Sequence, residues 1–513
     1  MKNNIGLLLS KRALLNGNRE AYVDSRSGAR LNFSELNDRC NQLAQALLKQ
    51  GVKQGDRVAL MLMNSAEFIE AYFAIAKIGG VVVPLNWRLV ADELEFILKD
   101  SGASVLIFGE EFDDVVADLH GRGDKTDIAT WIQVGANGTP FSQDYKTLLN
   151  AESAEEPEVS ACDDDLLFIM YTSGTTGLPK GVVATHTTIM WALFTFTGSG
   201  DLHDADRYLT ALPMFHVGAL LPVTLNIYQG VTSIVMREFD PLRAWQLIDE
   251  EKITGGLLVP AMLNFMIQVP NLTSFDHSAL RSIHSGASPL PVNLIQQFSD
   301  IGIEVHQVYG LTESCGPACI IDAENALKKI GSTGRAFFHT DVKIVDENGV
   351  DCAPGEQGEV WVKGLHIMKE YWNRPEATAE TITADGWLRT GDVAVVDEEG
   401  FIYIQDRIKD MIISGGENVY PAEIENAILA HPDVTEVGVI GQPSERWGES
   451  PLAVVVRNNP DLTEADVLKF CDGKLARFKL PQGVVFLDVI PRNANGKVLK
   501  RTLREQFPGP APV

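Results

Sequence analysis

The chain has 513 residues, too many for a single hydrophobic core, so two or more domains are expected. Hydrophobic residues make up 45% and charged residues 22%, an ordinary balance for a globular protein. The formal net charge of −26 argues against nucleic acid or an anionic membrane surface as a partner, and no stretch reaches the roughly 18 apolar residues of a membrane span, so no integral membrane association is expected.

The apolar run 5–9 precedes Ser10-Lys11-Arg12, whereas a signal peptide carries its positive residues first and needs a longer run. From about residue 55, short apolar runs alternate with amphipathic stretches. Strands are predicted at 57–63, 80–84, 104–108, 166–170, 208–212, 232–236, 256–259, 282–285 and 306–309. Helices are predicted at 66–77, 91–99, 187–196, 242–251 and 292–301, the first of them stopped by Gly79-Gly80. This spacing predicts an α/β fold of layered, largely parallel sheets and helices. Residues 140–164 are polar and acidic and read as a surface connection.

Past residue 335 the pattern changes to hairpins, with strands at 342–345, 358–362, 393–396 and 401–404. Asp346-Glu-Asn-Gly349 and Asp397-Glu-Glu-Gly400 supply turns, and the stretch reads as a β-rich subdomain. Asp406-Arg-Ile-Lys-Asp410 is a charged break. After it, a helix at 421–429, strands at 434–439 and 453–456, a helix at 463–475 and a strand at 484–486 predict a small α/β domain. The expected division is a large domain over 1–406, a hinge at 407–409 and a small mobile domain over 410–513. Residues 507–513 read as a frayed tail. The six cysteines are scattered, without a C-x-x-C pair, which fits a reducing cytoplasmic compartment and no structural metal site.

The densest chemistry lies in Tyr171-Thr-Ser-Gly-Thr-Thr-Gly-Leu-Pro-Lys180-Gly181, directly after the apolar run 166–170. Glycines let a turn aim several backbone N–H groups at one point, and such a nest binds an anion. The hydroxyls of Thr172, Ser173, Thr175 and Thr176 add donors, and Lys180 adds a charge. The loop therefore reads as a polyphosphate grip. It is not the Walker form, which enters a helix straight after its lysine, because here Pro179 precedes Lys180 and Gly181 follows it.

Further motifs stand in order: Met214-Phe-His216-Val-Gly218, His284-Ser-Gly-Ala-Ser288, Tyr309-Gly-Leu-Thr-Glu313, Thr390-Gly-Asp392, Arg407, Gly415-Gly416 and Asn495-Gly-Lys497. Together with the first loop they resemble the adenylate-forming superfamily of acyl-CoA synthetases, stand-alone adenylation domains and beetle-type luciferases. The likeness runs from about residue 20 to 505.

The resemblance implies ATP, Mg²⁺ and CoA as co-substrates and cofactor. It places ATP against Thr172, Ser173, Gly174, Thr175, Thr176, Gly177, Lys180, Gly286, Ala287, Ser288, Tyr309, Gly310, Thr312, Asp392 and Arg407. In this likeness Tyr309 stacks on adenine, Asp392 accepts the ribose hydroxyls, and Glu313 with Thr172 holds Mg²⁺. Asp392 is expected to stand just ahead of a strand. Lys497 stabilises the transition state in which a carboxylate attacks the α-phosphorus, and His216 borders and gates the acid pocket. Lys409 is the hinge residue, and Gly415 and Gly416 line the thiol path. Candidate acid-lining residues are His216, Val217, Gly218, Val259, Gly286, Gly310, Ser314, Cys315 and Gly316. They are mostly small and neutral, and positions 216–219 offer no carboxylate for an α-ammonium group, which points away from amino acids. The implied activity is that of a carboxylic acid–CoA ligase acting through acyl-AMP on a medium-chain fatty acid or a cinnamate-like aryl acid. The alternatives are delivery of the acyl group to a carrier protein, a luciferase-like oxygenase, or nucleotide binding without catalysis. Assembly as a homodimer is compatible with the sequence.

Overall fold

The strand Arg57–Met61 is divided between two cores, and that division defines the architecture. Val58 and Leu60 join Phe33, Phe68 and Tyr72 in one buried cluster, while Ala59 and Met61 join Leu94 and Leu98 in another. Successive side chains of a strand face opposite ways, so a strand apolar on both faces must be covered on both. The computed structural model describes residues 3–136, 138–159, 161–172, 179–287, 290–407, 409–414, 417–444, 447–472, 474–475, 477–492 and 498–509.

Among the described residues the strands form four sheets. One is ordered Glu370–Tyr371, Lys180–Thr185, Leu166–Thr172, Val81–Pro84, Arg57–Met61, Val105–Gly109, Thr130–Val134 and Gln143–Asp144. It is parallel from Leu166–Thr172 onwards, and the strands ahead of that pair antiparallel. A second sheet centres on Glu304–Tyr309, Ser282–Ser285, Gly255–Leu258, Arg207–Thr210 and Thr232–Val235, all parallel. Helices Phe33–Lys49, Ala66–Lys77 and Val217–Gln229 lie between these sheets, since one cluster holds Leu60 and Phe168 of the first sheet with Tyr22 and Val235 of the second. The third sheet is the antiparallel set Asp341–Val345, Gln357–Lys363, Leu388–Val396 and Ile402–Arg407. The fourth contains Ile412–Ser414, Val434–Ser444 and Gly448–Arg457 and packs its own core of Ile424, Ile428, Val439, Val455 and Val467. The layered α/β class expected from strand–helix alternation is the class observed.

Three local expectations change. The stretch 140–164 is not a plain connection: it contains the strand Gln143–Asp144 and the helix Tyr145–Asn150. Glu156 there lies 3.0 Å from the ammonium of Lys77, which is wholly buried. The helix predicted over 463–475 stops at Cys471, with Thr463 and Asp466 forming a capping box at its start. The helix Val217–Gln229 carried no periodic signal because Ala219 to Ile227 are all buried, and a helix covered on every side has no polar face to mark its period. Among the described residues no helix is long and apolar enough to cross a membrane.

Candidate active site

Parallel strands leave their carboxyl ends open, and ligands of α/β sheets bind there. Thr172, Val259, Gly286 and Gly310 each end or follow a strand and line one cleft of about 2570 Å³. The third sheet and the small domain close its other side through Thr390, Asp392, Asp406 and Lys500.

The first signature is flanked by two antiparallel strands, Leu166–Thr172 and Lys180–Thr185. Lys180 opens the strand Lys180–Thr185 and stands opposite Thr172 on the antiparallel neighbour. Ser173, Gly174, Thr175, Thr176 and Gly177 lie outside the described residues. Below these strands, the Tyr171 hydroxyl donates to Asp100 Oδ2 at 2.7 Å, and Arg374 bonds the other Asp100 oxygen at 2.7 Å. The Lys180 ammonium stands 4.9 Å from the centre of the Tyr371 ring, a cation–π distance.

Tyr309 and Asp392 meet directly: the phenol donates to Asp392 Oδ2 at 2.7 Å. Asp392 was expected ahead of a strand, but it lies inside Leu388–Val396. A bulge explains how it can face the cleft. The register of that strand shifts against Gln357–Lys363, and Gly391 there has φ 70°, which glycine alone adopts freely. The Gly391 N–H donates to Glu359 Oε1 at 2.9 Å, which fixes the bulge. Arg407 is the register partner of Asp392 on the next strand.

Glu313 sits on the turn after Glu304–Tyr309. Its carbonyl accepts the Met368 N–H at 2.8 Å, and its carboxylate accepts the Tyr371 hydroxyl at 2.8 Å. Thr312 lines the cleft beside it. Mg²⁺ takes oxygen ligands in octahedral geometry and keeps substrate phosphates and waters among them. Among the described residues no cluster of three or more His, Cys, Asp and Glu forms a metal cage. One carboxylate and the Thr172 hydroxyl at the same cleft therefore fit a metal that arrives with a nucleotide.

His216 precedes the helix Val217–Gln229 and borders the cleft. Burial lowers its pKa to about 3, and the nearby Arg88 charge pushes the same way. Its Nε2 has no hydrogen-bond partner among the described residues. At neutral pH it is a neutral imidazole with no proton to donate as an imidazolium.

Two acid-lining expectations are corrected. Ser314 and Cys315 do not reach the cleft, and both are wholly buried. The Ser314 hydroxyl closes its own turn, accepting the Leu311 N–H at 3.0 Å. Cys315, at φ 51°, joins the core between the large sheets, where burial pushes its thiol up to about 12. Gly286 and Gly310 line the cleft, and packing also demands them. A Cβ at Gly310 would stand 1.6 Å from the Gly316 carbonyl oxygen, and one at Gly286 would stand 2.4 Å from the Val308 oxygen. Ala287 holds φ 69°, a strained value for a residue with a side chain. Ser288, Gly415, Gly416 and Lys497 lie outside the described residues. Arg492 and Val498, which bracket Lys497, pair as a bridge and line the cleft. Lys409 is exposed at the cleft edge.

Asp100, His366 and Tyr371 escaped the sequence reading. His366 is buried, with Nδ1 2.8 Å from the Ser314 carbonyl and Nε2 2.8 Å from the Thr340 hydroxyl, so it braces the Glu313 turn from behind. Only the aromatic run Tyr371-Trp372 ahead of Asn373-Arg-Pro375 carried a signal that could have been noticed.

A family model for AMP-binding enzymes matches residues 9–372, and one for the C-terminal domain of AMP-binding enzymes matches residues 423–497. The chain belongs to the AMP-binding enzyme family. This AMP-binding enzyme is 45% identical over 510 residues to the long-chain-fatty-acid–CoA ligase FadD13 of Mycobacterium tuberculosis, across 99% of each chain. It is 39% identical over 482 residues to a feruloyl-CoA synthase of an Amycolatopsis species, across 94% of each. The structure of ATP-bound MatB from Rhodopseudomonas palustris aligns with a TM-score of 0.90 at 31% identity, over 99% of each chain. The enzyme is an ATP-dependent, AMP-forming acid–CoA ligase that uses ATP, Mg²⁺ and CoA.

Proposed function

We propose that this ligase activates an apolar carboxylic acid, either a medium-chain fatty acid or a cinnamate-like aryl acid. The observation that carries the reading is the wall of the cleft around Gly316. A side chain at Gly316 would meet Leu221 at 2.7 Å, Phe196 at 3.7 Å and Val217 at 3.9 Å. Phe196 in turn packs on Phe337 with ring centres 4.8 Å apart, and both line the cleft. Such a wall offers contact area without charge, which suits an apolar tail and rejects an ammonium or a second carboxylate. The FadD13 and feruloyl-CoA synthase relatives, by their names, act on long-chain fatty acids and on a feruloyl group, so an apolar acid of either the fatty or the aryl kind has a precedent among them.

In the first half-reaction the carboxylate of the acid attacks the α-phosphorus of ATP and pyrophosphate leaves. Lys180 and the hydroxyls of the 171–181 segment bind the polyphosphate, and Thr312 and Lys497 contact the reacting phosphate. Asp392 and Arg407 hold the ribose, Tyr309 packs on adenine, and His216, Val217, Gly218 and Val259 orient the acid. Glu313 and Thr172 would hold Mg²⁺, which when bound would supply charge neutralisation on the phosphates. In the second half-reaction the CoA thiol displaces AMP from acyl-AMP, entering past Gly415 and Gly416. The domain division belongs to the same proposal: 1–406, a hinge at 407–409 centred on Lys409, and 410–513. So do a cytoplasmic location, which the free thiols of all six cysteines suit, and assembly as a homodimer.

A panel of acids scored by CoA-dependent AMP formation tests the substrate. Octanoate to dodecanoate and cinnamate or ferulate should lead, while an α-amino acid or a short dicarboxylate should be poor. Preference for either of the latter would overturn the reading. Replacing Asp392 with alanine should raise the KM for ATP. Asp392 is only 6% exposed, and the ribose hydroxyls would lose hydrogen bonds to a charged group worth about 1.5–3 kcal/mol. An unchanged KM for ATP would remove Asp392 from the ribose site.

A further inference from the structure

We propose that Tyr371 is a positioning residue for adenylation, holding the Glu313 carboxylate and the Lys180 ammonium in one arrangement. The inference rests on the reading above of Glu313 as the Mg²⁺ carboxylate and Lys180 as the polyphosphate cation.

The two signatures lie far apart in sequence and meet through one short segment. Glu370–Tyr371 is a two-residue edge strand paired to Val183 and Val182, on the strand that Lys180 opens. Its flanks bind both signatures through the backbone. The Met368 N–H donates to the Glu313 carbonyl at 2.8 Å, and the Trp372 N–H donates to the Gly181 carbonyl at 2.7 Å. The side chain of Tyr371 repeats that pattern: its hydroxyl donates to Glu313 Oε1 at 2.8 Å, and its ring lies 4.9 Å from Lys180 Nζ. One residue thus meets an anion through its polar tip and a cation through its ring.

Tyr371 is itself held firmly. It is 7% exposed, packs with Val360, Val362 and Met368, and donates its N–H to the Thr378 hydroxyl at 3.0 Å. A glutamate and a lysine at the rim of a wet cleft would otherwise sample several rotamers, and ordering them on binding costs free energy. A fixed phenol occupies one carboxylate oxygen and leaves the other for the metal. A fixed ring face localises the ammonium without neutralising it, as a direct ion pair with Glu313 would. Both effects concern the polyphosphate, which is present in adenylation and gone once acyl-AMP has formed.

Tyr371→Phe removes the hydroxyl and keeps the ring. It should raise the Mg²⁺ concentration for half-maximal pyrophosphate release roughly 10- to 100-fold, the usual scale for a hydrogen bond to a charged group. Mn²⁺ binding, read by electron paramagnetic resonance with a non-hydrolysable ATP analogue, should weaken to the same degree. Thioester formation from supplied acyl-AMP should fall far less. Tyr371→Leu, which also removes the ring, should add a rise in the KM for ATP. In a Glu313→Gln background the loss of the hydroxyl should cost nothing more, because residues acting through one contact are not additive. If Glu313→Gln leaves Mn²⁺ binding unchanged, the Glu313 reading falls and the inference with it. If Glu313→Gln weakens it while Tyr371→Phe does not, or if the two effects add, the positioning role alone is overturned. Equal loss in both half-reactions would mark Tyr371 as purely structural.

Discussion

Lys497→Ala should slow pyrophosphate release by about 10²–10³, or roughly 3–4 kcal/mol of transition-state stabilisation, and spare thioester formation from supplied acyl-AMP. Negative charge builds on the equatorial oxygens only while the carboxylate attacks the α-phosphorus, so a lysine serving that step is idle in the second. The brackets of the lysine support the assignment. Arg492 and Val498 are bridged, Arg492 is anchored on Glu436 at 2.6 Å, and the helix Lys500–Gln506 follows immediately. Lys500 is buried against Glu425 at 3.0 Å and Asp406 at 3.6 Å and is thereby committed to structure, which leaves it a poor substitute for Lys497. The two half-reactions, measured separately on the same soluble variant, decide the matter. Equal damage to both would refute the role.

Lys409→Pro should leave adenylation largely intact and lower the CoA step by orders of magnitude. Alternation between two orientations of the small domain needs free rotation at a few backbone positions. Proline fixes φ near −65° and restricts the residue before it. Direct contacts that rotation must release are few among the described residues. The Tyr420 hydroxyl donates to Gln357 Oε1 at 2.8 Å, the Ala422 N–H donates to Asp406 Oδ2 at 3.1 Å, and the Lys500 ammonium stands 3.6 Å from Asp406. The two hydrogen bonds are worth about 1 kcal/mol net each, so they do not by themselves bar the motion, and backbone freedom at the hinge remains a requirement. The variant should fold, because Lys409 is exposed and the small-domain core begins at Ile412. Pyrophosphate release without CoA and thioester formation from preformed acyl-AMP are the readouts. Full activity in both would move the hinge elsewhere.

The 171–181 segment and the Tyr309–Glu313 turn stood out in the sequence because their chemistry is local: glycines, hydroxyls and charges gathered at the end of an apolar run. The same locality explains the expectations that failed. Cys315 is adjacent to a cleft residue in the chain, yet a left-handed φ turns it into the core. Asp392 reached the cleft through a bulge, which an alternating pattern does not announce.

Taken alone, the sequence determined the α/β layering, the order of the strands along the chain and the motifs proposed for the nucleotide site. Each of these depends on periodicity or on residues within one turn of one another. Only the tertiary structure decided which elements became neighbours. Tyr371 lies 58 positions from Glu313, and Asp100 lies 71 from Tyr171, yet each pair shares a hydrogen bond. The edge strand Glu370–Tyr371 pairs with Lys180–Thr185 across nearly two hundred residues. Such pairings are set by the competition of whole sheets for burial and backbone hydrogen bonds, a property of the packed chain that no short window of sequence contains.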